Sequence, residues 1–401
     1  YPCLIWSDTR AHEEVIYLEK IFTTDAILKI TGNPIQESFT LPKILWLKNK
    51  QPNLFSYVDK IMFPKDYFGF LLTGIIATDH SDASGSLLYN LSNHCWSGEI
   101  IDNCELKKSL FPDIIPSDAI LGKVSWNAAQ QFGLPEGIPV IKGGGDLATT
   151  ALATGTGQKE SLSLCIGTAA QMLMSLDSIE EKLLGRLYLF SHCIPRSYFC
   201  LGTVPTGGSS MQWFQNLFES ENKELIYNEL NTIYDEITES NILFFPYLMG
   251  TGTPYFDYQA NGAFLGLQIH HERKDLIYSI IEGIIFALKD SFTSISKPNI
   301  KKIFLSGGAT RFSIWPKLVS NIFDRPVFAF QNADTATIGA FLLGSKPIGI
   351  IKDYDSILNG FIPAEPVLPC QRYTQMYEKK FKKYRHFSSY IRNYSSMDGW
   401  G

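Results

Sequence analysis

Asp146 directly follows Gly143-Gly144-Gly145, which places its carboxylate at the mouth of a turn and not inside a core. A carboxylate there can cap the helix expected from Leu147-Ala148-Thr149-Thr150, or it can take a proton from a substrate hydroxyl. From the local residues capping is the first reading, and the two roles are compatible. Further glycine turns follow apolar runs at Gly167-Thr168, Gly207-Gly208 and Gly307-Gly308. Such a turn lets backbone N–H groups converge, a following helix adds its positive end, and phosphate is the usual guest. Glycine turns also simply end strands, so each one alone says little. No Gly-x-x-x-x-Gly-Lys-Ser/Thr occurs, and no Gly-x-Gly-x-x-Gly opens a helix after a strand, which removes two common nucleotide folds. Asp79-His80-Ser81-Asp82 reads as a turn dense in helix-capping residues ahead of a metal site. His270 and His271 have no partner at ligand spacing and read as surface residues.

These residues need elements to hold them. From Ile138 onward four apolar runs each end in a glycine turn that a helical pattern follows: Ile138–Ile141, Leu162–Ile166, Tyr198–Val204 and Lys302–Leu305. Their unequal spacing excludes a solenoid. Leu41 to Asp118 is instead helix-rich and irregular, with helical stretches such as Pro42–Lys48 and a helix end at Gly74. Leu276, Ile280, Ile281, Ile284, Ile285 and Leu288 predict a wide buried stripe on a helix over Arg273–Phe292, with Glu282 and Lys289 beside it. Tyr373–Tyr390 predicts a polar, aromatic helix docked on the surface, with Lys379, Lys380, Lys382 and Lys383 on a solvated face. Tyr1–Trp6 reads as a buried strand.

At 401 residues two domains are the natural expectation, divided where the texture changes into 1–154 and 155–401. Hydrophobic residues at 45% and charged residues at 19% allow a real core and exclude a disordered chain. A net charge of -5 without a long Lys/Arg run argues against nucleic acid and membrane surfaces as partners. The seven cysteines are scattered, with no Cys-x-x-Cys, so neither a disulfide framework nor a zinc site is indicated and a reducing cytoplasm fits. No stretch reaches the roughly 20 apolar residues that span a bilayer, and no secretory signal is seen at the start.

Taken together, ordered motifs along nearly the whole chain resemble the FGGY carbohydrate kinases, and within them the xylulokinases. They are Leu4-Ile-Trp-Ser-Asp-Thr-Arg10, Thr31-Gly-Asn-Pro34, Phe39-Thr-Leu-Pro-Lys-Ile-Leu-Trp46, Pro64-Lys-Asp-Tyr67 and Ser81-Asp-Ala-Ser-Gly85, followed by Gly143-Gly-Gly-Asp146 and Ile166-Gly-Thr168. Pro246-Tyr-Leu-Met-Gly-Thr-Gly-Thr-Pro254, Glu282-Gly283, Ser306-Gly-Gly-Ala309 and Ile338-Gly-Ala340 complete the set. The resemblance implies an α/β fold of two actin-like (ribonuclease H-like) ATPase lobes around a cleft, the first lobe binding sugar and the second nucleotide. It implies ATP-dependent phosphorylation of a sugar hydroxyl, D-xylulose to D-xylulose 5-phosphate, with Mg²⁺ on the phosphates. Asp146 becomes the catalytic base; Trp6, Asp8 and Arg10 become sugar-pocket residues, or equally residues that hold the first lobe together. Gly167 and Thr168 match the phosphate-contacting turn, Gly208 and Gln212 the nucleotide-contacting helix start, and Gly307, Gly308 and Arg311 the adenosine edge. A small-molecule sugar is the expected partner and a homodimer an expected assembly.

Departures from the pattern qualify this. Ala169-Ala170 stands where the family has Ser-Gly, which would strain a turn needing positive φ at Ala170. Thr251-Gly252 replaces a polar pair, and Phe312 stands where a polar residue often faces the nucleotide. The family's opening Asp-x-Gly-Thr segment is absent, so the chain is expected to be a fragment, with a short, catalytically impaired homologue as the rival. Ribulose, glycerol, gluconate or erythritol are alternative substrates.

Overall fold

Each of the four apolar runs is a strand in the computed structural model, which describes residues 2–155, 160–217, 240–295, 299–330, 334–354 and 365–395. The strands are Pro139–Ile141, Ser161–Ile166, Tyr198–Val204 and Lys302–Ser306. Three lead onward to helix: to Asp146–Ala153, to Gly208–Leu217, and through the 3₁₀ turn Gly308–Arg311 to Ile314–Phe323. The fourth corrects the expectation. After Gly167-Thr168 the chain reverses into a second strand, Ala170–Leu176, antiparallel to the first, with Ile166 opposite Ala170. Met172, Leu173 and Met174 are all buried, and a run apolar on both faces suits a central strand as well as a helix. Because Ala170 opens an extended strand, the strain expected there does not arise.

By contacts the chain forms two units, interleaved along the sequence. The first comprises Tyr1–Gly157, Ser175–Cys200 and Thr335–Asn359; the second comprises Gln158–Met174, Leu201–Asp334 and Gly360–Gly401. In the first unit Ala77–Asp79 pairs in parallel with Asp113–Ile115, and Ile120–Lys123 pairs antiparallel with Pro139–Ile141. Helix Pro64–Thr73 starts on Pro64, whose missing N–H costs nothing at a first helical position, and ends on Gly74 in the left-handed conformation. Helix Thr335–Ser345 lies against helix Asp146–Ala153 so closely that a Cβ on Gly339 would fall 1.9 Å from the Thr149 carbonyl oxygen. Only glycine permits that approach, and it fixes the helix that Asp146 begins.

The N-terminal strand expected over Tyr1–Trp6 is not formed. Tyr1 lies outside the described residues, Pro2–Ile5 has no strand assignment, and a turn closes from Asp8 N–H to the Ile5 carbonyl. Trp6 is 77% exposed. A strand needs a pairing partner, and the described residues present none here.

In the second unit Lys302–Ser306 is flanked in parallel by Val327–Ala329 and Ser161–Ile166. The helix Arg273–Phe292 has the predicted bounds, but it is buried nearly all round from Ile277 to Leu288, beyond the predicted stripe. Glu282 is therefore inside, not beside, the apolar face. Its carboxylate meets Lys380 of the C-terminal helix Gln371–Ser395 at 2.5 Å, with 2% and 10% of the two side chains exposed. This corrects the reading of the four lysines: Lys379, Lys382 and Lys383 are exposed, while Lys380 turns inward. Tyr377 and Tyr384 of the same helix are buried against Phe286, the first edge-on and the second tilted.

Burial pushes the Glu282 carboxyl up against the opposing pull of Lys380. Removing the cation leaves an uncompensated buried charge, so Lys380→Met should destabilise the protein by about 3–5 kcal/mol at pH 7.5. A protonated Glu282 needs no counter-ion, so the loss should shrink at pH 5. Urea melts of both proteins at the two pH values test this.

Candidate active site

Asp146 is the first residue of its helix and Gly145 is the cap residue, so Asp146 does not cap from the position that local sequence suggested. One carboxylate oxygen accepts the Leu147 N–H at 2.8 Å; the side chain is exposed. No other side chain among the described residues donates to it. The turn that delivers it is held tightly. Gly145 N–H donates to Ser81 Oγ at 2.8 Å, and the Gly145 carbonyl accepts Thr149 N–H at 2.9 Å. Gly143 has φ +78°, which a glycine tolerates. A Cβ on Gly144 would sit 2.9 Å from Cys193 Cβ, and one on Gly145 would sit 2.8 Å from Asp82 Oδ1.

Beneath this turn lies a cluster of charge, buried at Asp66, Asp79 and Lys142 and half-buried at Lys65 and Asp82. Lys65 Nζ is 3.0 Å from Asp66 Oδ1, 3.0 Å from Asp79 Oδ1 and 3.2 Å from Asp82 Oδ2. Lys142 Nζ approaches Asp66 Oδ1 at 2.5 Å, both side chains being fully buried. Asp79 caps the short helix His80–Ser84 by accepting Ser81 N–H, as the capping reading of this segment required. Its Oδ2 also accepts the Ser81 and Ser117 hydroxyls at 2.5 and 2.7 Å. Among the described residues no three acids, histidines or cysteines could hold a metal ion, here or elsewhere.

Three carboxylates and two ammonium groups cannot all be neutralised in so dry a place. Burial would pull Lys65 down, but Asp79, Asp82 and Asp66 together raise it. Burial would push Asp79 up, yet Lys65 and the two serine hydroxyls hold it below the usual carboxylate range. Asp82 absorbs the mismatch. Burial, with Asp79 and Asp66 adding repulsion, outweighs Lys65 and pushes its carboxyl up to about 7. Lys142 is pulled down by burial and by Lys65.

The other residues assigned to sugar binding are placed differently. Asp8 and Arg10 pair at 2.8 Å, the guanidinium lies over the Trp46 ring at 5.0 Å, and hydrogen bonds from Arg10 lower the Asp8 carboxyl. Trp6 projects outward. A pocket of about 310 Å³ in the same unit is lined by His80, His94, Ser117, His192 and Arg196 among others, and Asp146 is not among its lining residues.

In the second unit the glycine turns pack against one another. Gly208 N–H donates to the Gly167 carbonyl at 2.7 Å, and both N–H and Oγ of Ser209 donate to the Thr168 carbonyl at 3.1 and 3.0 Å. A Cβ on Gly207 would fall 2.6 Å from the Ala169 backbone, and one on Gly307, at φ +88°, 2.6 Å from the Ile166 carbonyl oxygen. Beside Gly308 a Cβ would meet nothing within 4 Å, and Thr168, Gln212 and Arg311 are exposed. Thus Gly167, Thr168, Gly208, Gly307 and Gly308 come together at the ends of neighbouring strands, with the first N–H groups of helix Gly208–Leu217 already committed to protein carbonyls.

Residues 1–153 match the N-terminal domain of the FGGY family of carbohydrate kinases, and residues 162–346 match its C-terminal domain. A xylulose kinase of Staphylococcus epidermidis is 30% identical over 385 residues, covering 95% of this chain and 76% of the relative. A xylulose kinase of Lactococcus lactis subsp. lactis is 32% identical over 368 residues, covering 90% and 72%. The chain belongs to the FGGY family of carbohydrate kinases. The crystal structure of a xylulose kinase from Rhodospirillum rubrum, 24% identical, shares the fold with a TM-score of 0.90 over 97% of this chain and 80% of that one.

For an FGGY kinase the sequence motifs Pro64-Lys65-Asp66-Tyr67 and Ser81-Asp82 are legible as family segments, yet their residues were not assigned a place in the site. The signal was there: a Lys and three Asp within eighteen positions of the helix-rich half. What the sequence does not show is that strand pairing folds them onto the Gly143–Gly145 turn.

The raised Asp82 carboxyl gives a sign to pH dependence. A carboxyl raised in the folded state contributes stability at low pH that is lost as pH rises from about 4 toward 7. The neutral Asp82→Asn should therefore gain melting temperature relative to wild type between pH 5 and pH 8. Paired thermal melts at the two pH values decide it; an unchanged or reversed difference refutes the assignment.

Proposed function

We propose that this carbohydrate kinase transfers the γ-phosphoryl group of ATP to the 5-hydroxyl of D-xylulose, with Asp146 as the general base. The observation that carries the reading is the Asp146 carboxylate, exposed at the head of a helix on a turn built to be immobile. Asp146 takes the hydroxyl proton as the sugar oxygen bonds to the γ-phosphorus; the bond from that phosphorus to the β,γ-bridging oxygen breaks, leaving D-xylulose 5-phosphate and ADP. The transition state is loose, so orientation is most of what the protein must supply. The choice of xylulose rests on the two relatives at 30% and 32% identity, both named xylulose kinases.

The family's phosphoryl donor fits the second unit. Gly167, Thr168, Gly208 and Gln212 would line the phosphates and Gly307, Gly308 and Arg311 the adenosine. Glycine there keeps side chains out of the way while Thr168 and Arg311 face solvent. Mg²⁺ would neutralise phosphate charge as it does in other kinases, carried by the nucleotide itself. Trp6, Asp8 and Arg10 would border the sugar from the first unit. The seven cysteines form no disulfide, which suits a reducing cytoplasm, and no helix among the described residues is long and apolar enough to cross a membrane.

Asp146→Ala should lower kcat for D-xylulose by about 10²–10⁴-fold while the Kd for ATP stays within threefold. Coupled ADP release with D-xylulose, ribulose, glycerol and gluconate, together with nucleotide titration, measures both. Retention of more than a tenth of wild-type kcat would remove Asp146 from the base role, and a higher kcat/KM for another sugar would remove xylulose.

A further inference from the structure

Asp146 has no side-chain partner to aim it: its single hydrogen bond among the described residues comes from the next backbone N–H. Its direction is therefore inherited from the peptide before it. That peptide is gripped at one side-chain atom. Ser81 Oγ accepts Gly145 N–H at 2.8 Å and donates to Asp79 Oδ2 at 2.5 Å, so the hydroxyl is held in one rotor position with its lone pair toward Gly145. Asp79 is wholly buried and is itself fixed by Ser81 N–H, by Ser117 Oγ and by the Lys65 ammonium. Ser81 Oγ also stands 3.3 Å from the position of a Cβ on Gly144, so the turn has no slack on that side.

We propose that Ser81 is a positioning residue of the phosphoryl transfer: backed by Asp79 and Lys65, it fixes the Gly145 peptide and thereby the direction of the Asp146 carboxylate. The inference rests on Asp146 being the base. Loss of the Ser81 hydroxyl frees the Gly145 N–H to seek water and lets the head of the helix shift. A displacement of the order of 1 Å at the reacting group costs about 10²-fold in rate. Substrate binding, which does not depend on the direction of the base, is left nearly unchanged.

The test is a split between kcat and KM with a double-mutant cycle. Ser81→Ala should lower kcat about 10- to 100-fold with KM for sugar and ATP within threefold. Ser81→Thr, which keeps the oxygen, should recover to within about fivefold of wild type. In an Asp146→Ala background, followed over long incubations, Ser81→Ala should cause no further fall, because there is no carboxylate left to misdirect. A Ser81→Ala kcat within twofold of wild type overturns the proposal, as does an equal fall in both backgrounds. Should Ser81→Ala lose its cooperative melt, Ser81→Cys takes its place: kcat should drop at least about tenfold below that of Ser81→Thr, following acceptor strength, and equality of the two overturns the proposal. If Asp146→Ala itself stays active, the base assignment fails; if it is inactive while Ser81→Ala is not, only the positioning role fails.

Discussion

A single ammonium group, that of Lys65, lies within 3.2 Å of three carboxylates, and the first unit is arranged around that fact. Taking ions out of water is expensive, and their attraction offsets the cost only when the remaining lone pairs are satisfied. Here Asp79 Oδ2 accepts the Ser81 and Ser117 hydroxyls and Lys142 pairs with Asp66, so the satisfaction is partial: among the described residues Asp79 Oδ1 and Asp66 Oδ2 accept no hydrogen bond. Helix Pro64–Thr73, strand Ala77–Asp79, helix His80–Ser84 and the end of strand Pro139–Ile141 each contribute a charged member. None of the four can move without opening the cluster. The glycines at 143 to 145 are the consequence at the surface of that cluster, since a larger residue at 145 would press on Asp82.

This explains which parts of the molecule could be read from residues and which could not. The helix Arg273–Phe292 was legible to the residue because burial imposes a period on its own sequence. The Asp146 turn was legible as a turn, since three glycines before a helical run have few other meanings. The reversal at Gly167-Thr168 was not, because Ala170–Leu176 is apolar on both faces and its pairing with Ser161–Ile166 is decided by tertiary contact. The ion cluster was legible as charged residues close in sequence but not as a cluster, for a stronger reason. Its members are separated by up to seventy-seven positions, and a Lys-Asp step at a helix start has the same local pattern whether it faces water or a buried carboxylate.

Lys380 makes the same point in the second unit. Four lysines within five residues read as one solvated face, yet a helix turns 100° per residue and only three of them face solvent. The fourth pairs with Glu282, buried on a helix that periodicity had described as apolar with polar flanks. Periodicity locates faces well; it does not report a polar residue whose partner is on another element.

The glycine turns of the two units are held by different means. In the second unit the turns are locked by backbone: Gly208 and Ser209 spend their N–H groups on Gly167 and Thr168 carbonyls, so the positive end of that helix is partly satisfied before any phosphate arrives. The groups left open there are the exposed Thr168, Gln212 and Arg311 and the space beside Gly308. In the first unit the turn is locked by a side chain backed by charge, and the Asp146 carboxylate that follows it is exposed. A base in the loose transition state of phosphoryl transfer has little to do except stand in the right place. Rigidity obtained below the turn leaves that carboxylate without competing donors, so its open lone pairs can meet a hydroxyl proton. The proposed base is thus unencumbered because the groups that fix its turn lie below it.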